Sequence, residues 1–123
     1  MHTVNAIIAH GADAKGKFLA KSLQAHFHQV DFATDYQSLR ERIAKSHSQV
    51  AVVDLELLTC DEVRKLCSDF SETGIVCTHR IPDDELWTRA MEAGAIDCCQ
   101  VDDVRSILSA ARSIGPRRRP MAA

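Results

Sequence analysis

Long apolar runs are missing from this chain of 123 residues. No stretch approaches the roughly eighteen residues that a membrane-spanning helix requires. The opening segment, "MHTVNAIIAHGAD", is too short and too polar to act as a secretory signal, so a cytoplasmic setting is expected. No segment is of low complexity and none reads as an internal linker, which leaves one domain of ordinary size. A glycine-rich phosphate loop is also missing. "AHGADAKGK" holds two glycines but matches neither the GxGxxG nor the Walker spacing, and this weighs against a nucleotide-binding reading.

Cysteine is present but not in pairs. Five cysteines, at 60, 67, 77, 98 and 99, form no CxxC unit, and an odd count fits free thiols in a reducing compartment. Cys67 and Cys77 fall at expected core positions, where a free cysteine packs as a small apolar group. A zinc site from Cys60, Cys67 and His79 would have a spacing that matches no known ligand pattern, so none is expected. On a strand, Cys98 and Cys99 would point to opposite faces. The net charge of −2 conceals an uneven distribution. Before Arg117 there are 12 basic and 17 acidic residues, and the triplet Arg117 to Arg119 makes up the difference. That tail, 115–123, is expected to be solvated and disordered rather than to bind nucleic acid.

What is there is an alternation of strand and helix, repeated five times. "VNAIIA" (4–9) is a short apolar run. The segment 14–27 places Phe18, Leu19, Ser22, Leu23, His26 and Phe27 on one helical stripe. "QVDFA" (29–33) alternates with period two, and Thr34 with Gln37 forms a capping-box signature for a helix with Tyr36, Leu39, Ile43 and Ala44 inward. "VAVVDL" (50–55) is continuous and β-branched, as a strand covered on both faces should be. Thr59 and Glu62 cap a helix bearing Val63, Leu66, Cys67 and Phe70. "GIVCT" (74–78) follows; then comes a helix with Pro82 in its first turn, running to Ala93 and stopped by Gly94. "AIDCC" (95–99) is the fifth strand. Val104, Ile107, Leu108, Ala111 and Ile114 mark the last helix. Five such units with short connections imply an α/β fold: a doubly wound five-stranded parallel sheet in the order 2-1-3-4-5, sandwiched between two helical layers. Its functional site lies beyond the carboxyl ends of the strands.

Asp54 stands at that end of the third strand. A buried carboxylate needs a partner or access to water. The sequence around it, "VAVVDLEL", together with "IVCT" ending at Thr78 and "RAMEAGAIDCC" (89–99), resembles the receiver domain of bacterial two-component response regulators. The likeness covers residues 1–114 and implies a flavodoxin-like three-layer fold. It implies that Asp54 is the phosphoacceptor, with a sensor histidine kinase as partner, and that Thr78 and Cys98 hold the switch positions. It implies a Mg²⁺ bound by an acidic pair after strand one, by the acceptor itself and by the backbone carbonyl of Glu56. The sequence departs from that pattern at several places. The acidic pair would fall on Ala9-His10 or His10-Gly11, and neither choice offers a carboxylate. The lysine position is Val101, and Cys98 stands where an aromatic is usual. The turn after Thr78, "HRIPDDELW", is about one residue longer than usual.

Without those groups an incoming phosphoryl dianion meets an anionic acceptor with no fixed countercharge. Single electrostatic contacts of this kind are worth about 3–4 kcal/mol. The expectation is therefore an atypical receiver, not an enzyme, with no metal bound in the conventional way, poor or absent phosphorylation of Asp54, and action through protein contacts. Alternatives are a competent acceptor with unusual metal ligands, such as Glu56 or Asp13, and a flavodoxin-like small-ligand binder. His10 reads best as an exposed loop histidine. Its other reading is an imidazolium beside Asp54 that replaces the metal's charge. A partner or homodimer surface is expected on helix four, strand five and helix five, where Trp87 and Met91 form an apolar ridge beside Arg89 and Arg105. The competing reading has both capping the core edge under helix five.

Overall fold

The computed structural model describes residues 4–114; the tail expected over 115–123 lies outside them. The chain runs β1 (Asn5–Ala9), α1 (Ala14–Gln24), β2 (Gln29–Ala33), α2 (Tyr36–Ser46), β3 (Val50–Asp54), α3 (Cys60–Asp69), β4 (Gly74–His79), α4 (Asp84–Ala93), β5 (Asp97–Gln100) and α5 (Val104–Ile114). All neighbouring strands pair in parallel, in the order β2-β1-β3-β4-β5. Among the described residues no helix is long and apolar enough to cross a membrane.

Strand alternation divides the core in two. On one face Ala6, Ile8, Val50, Val52, Val76 and Cys99 pack with Leu19 and Leu23 of α1 and Ile107, Leu108, Ala111 and Ile114 of α5. On the other, Ile7, Ala9, Ala51, Val53, Ile75, Cys77 and Cys98 meet Leu39 and Ile43 of α2, Val63 and Leu66 of α3, and Ala90 and Ala93 of α4. The adjacent cysteines thus do face opposite layers. All five residues of β3 are buried, as befits a central strand whose two faces are both covered.

Several local expectations shift. Helix α1 ends at Gln24, so its buried face is Gly16, Leu19 and Leu23. Phe18, one residue and hence 100° from Leu19, is 54% exposed. Phe27 still reaches the core, but from the following loop. Helix α2 is capped by Asp35, whose carboxylate accepts from Ser38 N at 2.7 Å, rather than by a Thr34–Gln37 box. Ala44 is exposed. The Thr59–Glu62 capping box is present. Pro82 precedes α4 instead of occupying its first turn, because Asp83 is the N-cap and accepts from Leu86 N at 2.8 Å. Gly94 ends α4 with φ at +110°, a conformation natural to glycine. The chain then needs Ala95 and Ile96 to return to the sheet, which delays β5 to Asp97.

Candidate functional site

The register of the sheet determines which side chains meet at its carboxyl end. Ala9, Val53, Cys77 and Cys98 form one cross-strand row. The next row contains Asp54, Thr78 and Cys99, and His10 extends β1 beside it, with its backbone N–H donating to Ala33 O. Since successive side chains alternate in direction, this second row continues the face of Ile8, Val52 and Val76. Asp54 and Thr78 are therefore neighbours because their strands are neighbours.

Asp54 is buried and still hydrogen-bonded. Thr78 Oγ1 donates to its Oδ1 at 2.9 Å, and the Glu56 N–H donates to Oδ2 at 3.3 Å. Burial pushes the Asp54 carboxyl above its ordinary range; the Thr78 hydroxyl, the nearby His10 and the Glu56 amide pull it back without cancelling the shift. The β3–α3 turn is built on this residue too. Leu57 N and Leu58 N both donate to the Asp54 carbonyl, and Leu55 N donates to Thr78 O.

His10 does not match the expected exposed loop residue. It is 5% exposed, with Nδ1 donating to the Gly11 carbonyl at 3.1 Å. A carbonyl only accepts, so Nδ1 carries the hydrogen and Nε2 faces Asp54 Oδ1 at 3.9 Å. Asp13 Oδ1 lies 3.5 Å from Nδ1 and also accepts from Gly16 N at 2.9 Å as the N-cap of α1. That amide bond holds the Asp13 carboxyl below its ordinary range.

The remaining expected residues scatter. Ala9, placed in the crevice by sequence, faces the α2–α4 layer, because a single residue reverses the side-chain direction. Cys98 is buried in that same layer, away from the Thr78 row. Val101 is packed into the α1–α5 layer as part of the hydrocarbon core. Gly11 contributes its carbonyl. Glu56 directs its carboxylate outward to Arg80 Nε, at 2.9 and 3.1 Å, with His79 Nε2 4.0 Å away. Burial, reinforced by Asp97, pushes the Cys98 thiol up to about 11 and Cys99 up to about 12, so neither is a thiolate near neutrality. No three His, Cys, Asp or Glu side chains converge on a metal position among the described residues, Cys60, Cys67 and His79 included.

That donor set can be tested against Mg²⁺, the ion implied by the resemblance. Mg²⁺ demands near-octahedral oxygen ligation and usually binds through carboxylates and water. Among the described residues Asp54 is the one buried carboxylate; Glu56 is bound to Arg80 and Asp13 caps α1. The other side chains on Asp54 are the Thr78 hydroxyl, which already donates to the carboxylate, and an imidazole nitrogen, a poor match for a hard cation. Sequence reasoning missed Gly16, which lies beneath His10. Its signal was a glycine inside an otherwise helical segment, "AKGKF".

On the surface expected from sequence to meet a partner, Trp87 is 46% exposed and its Nε1 donates to Asp97 Oδ1 at 3.1 Å. Met91 is half-buried against the α2–α4 layer. Arg89 and Arg105 are exposed. Helix α4 packs on α3 and β5; Met91 thus lies at a core edge on that side, and Trp87 stands outside it.

No protein-family model matches this chain, and no curated protein matches it in sequence. Solved structures do match, and their fold is that of response-regulator receiver domains. A LuxR-family two-component response regulator from Aurantimonas sp. SI85-9A1 superposes with a TM-score of 0.80 at 15% identity, covering 94% of this chain and 88% of that one. A response regulator from Thermotoga maritima gives 0.77 at 16% identity, over 91% and 97%. A response regulator from Burkholderia pseudomallei, whose structure contains a phosphorylated aspartic acid, a calcium ion and citrate, gives 0.76 at 19% identity; 87% of this chain spans 65% of that one. The chain thus has the receiver fold, a five-stranded flavodoxin-like sandwich.

Proposed function

We infer that this chain is a signal-receiver module in which Asp54 is the candidate phosphoacceptor, that it takes up phosphate slowly or not at all, and that it acts through protein–protein contacts. The observation behind this is the Asp54–Thr78 pair at the carboxyl end of the central strands, 2.9 Å apart, with His10 facing Asp54 and Val101 packed into the α1–α5 layer beyond β5. The pair has the chemistry of an acceptor and a switch hydroxyl. His10 and Val101 supply no lysine and no second carboxylate, the groups that would stabilise charge developing on a transferring phosphoryl group. A sensor histidine kinase is the natural class of partner, and the exposed Trp87 edge of α4, flanked by Arg89 and Arg105, is the surface we assign to contact or self-association.

The test is incubation with Mg²⁺ and a small phosphodonor, followed by intact-mass measurement. The expected spectrum shows no stable mass gain of one phosphate over many half-lives of an ordinary reaction. A stoichiometric gain, abolished by Asp54→Asn, would establish a competent acceptor instead.

A further inference from the structure

The seat of His10 is more than a consequence of the fold. An imidazole at the end of β1 needs room, and Gly16 provides it. A Cβ at Gly16 would stand 2.8 Å from His10 Nδ1, 3.2 Å from its Cγ and 2.5 Å from the Gly11 carbonyl oxygen. Glycine is the weakest helix former after proline, so its place inside α1 calls for such a reason. The ring is then oriented by the Gly11 carbonyl on one nitrogen and directed at Asp54 with the other. Among the described residues, His10 is the only basic side chain within ion-pair distance of Asp54.

We propose that His10 is the resident occupant of the position where a cation would stand beside Asp54, so that the crevice holds its carboxylate with an imidazole in place of a divalent metal. The charged and polar groups around the ring fit this role. Asp13 faces it from the start of α1, Asp54 from β3 and the Gly11 carbonyl from its own loop. Thr78 on β4 donates to the same Asp54 oxygen, Oδ1, that His10 faces, and the Glu56 N–H donates to the other, while the Glu56 carboxylate is held out of the crevice by Arg80. The inference rests on reading Asp54 as the centre of the site, and it specifies how that site is regulated: no divalent ion is required to keep Asp54 and Thr78 together.

Calorimetric titration with Mg²⁺ alone and with Zn²⁺ alone tests it, on the wild-type chain and on His10→Asp. The wild type should show no saturable uptake of either ion at millimolar concentrations. His10→Asp places a second carboxylate at the seat and should bind Mg²⁺ at least about tenfold more tightly. Saturable Mg²⁺ binding by the wild type would overturn the proposal. So would Zn²⁺ binding lost in both His10→Ala and Asp54→Asn, since the imidazole would then be a ligand rather than the occupant. A folded His10→Asp that gains nothing would overturn it as well. If His10→Asp does not fold, amide spectra of the wild type decide: Mg²⁺-dependent shifts confined to Gly11, Asp54 and Glu56 count against the proposal, and unchanged spectra support it. The receiver reading fails separately, if a folded, Mg²⁺-loaded His10→Asp/Val101→Lys variant, which supplies both absent groups, takes no phosphate from a small phosphodonor.

Discussion

Two adjacent rows of the same sheet differ in almost everything except position. Ala9, Val53, Cys77 and Cys98 are sealed between the strands and α2–α4 and contribute no charged group. His10, Asp54, Thr78 and Cys99 lie one residue further along the same strands, face the opposite layer, and hold a carboxylate, an imidazole and a hydroxyl within 4 Å of one another in sequence of contact. The first row is core because helices cover it. The second is a site because the strands end there, so turn amides such as Glu56 N–H can satisfy a carboxylate that a mid-strand position could not. A second asymmetry lies within the site. The β3–β4 side carries a carboxylate with its hydroxyl, whereas the β1 and β5 positions carry an imidazole and a buried valine.

The harshest way to break the comparison is to move the carboxylate back by one residue. Val53→Asp would bury a charge among hydrocarbon with no amide or hydroxyl to meet it, and should cost more than about 4 kcal/mol. Chemical denaturation should find the variant unfolded, although Asp54 beside it is tolerated.

Gly16→Ala should come next, with a sign opposite to the usual one. In an ordinary helix interior this change stabilises by about 1 kcal/mol. Here the new methyl meets the Gly11 carbonyl and His10, so a loss on the order of 2 kcal/mol is expected in urea denaturation. A gain would show that the His10 seat is loose.

Asp54→Asn should have a smaller effect in the stabilising direction. Burial raises the Asp54 carboxyl above its unfolded value. The stability it contributes is therefore fully present below the unfolded value of 3.8 and is lost as pH rises through the folded one. The neutral amide can still accept from Thr78, so the variant should melt a few degrees higher at pH 7. The gain should vanish below about pH 4, where the wild-type carboxyl is also protonated. Equal melting temperatures at pH 7 would mean that the pair with His10 fully offsets burial.

The smallest effect is expected at Trp87, outside both rows. Trp87→Ala removes a half-exposed ring and one hydrogen bond to Asp97, and should change stability by about 0.5 kcal/mol or less. Self-association or partner binding, followed by analytical ultracentrifugation, should weaken. A large stability loss with unchanged association would assign Trp87 to structure alone.

Much of this was determined by the sequence itself. The five alternating units, the burial of Val50 to Val53 and the position of Asp54 at a strand end follow from period and residue type, which are local properties, and the order of the sheet from the short crossovers that join five such units. So do the residue types at His10 and Val101, because a side chain the sequence does not contain cannot be supplied by folding. Tertiary structure alone decided the rest. Whether Ala9 or His10 faces the crevice depends on one residue of register, and that is set by pairing with β2 and β3 rather than by β1. The burial of His10 depends on a glycine six positions later that reaches it only when α1 folds back over the strand. The removal of Glu56 from the site depends on Arg80, 24 residues away and brought near by the β3–β4 pairing. A sequence names the groups that a strand end can offer; the packing of neighbouring elements selects which of them meet, because only there do the distances fall below 4 Å.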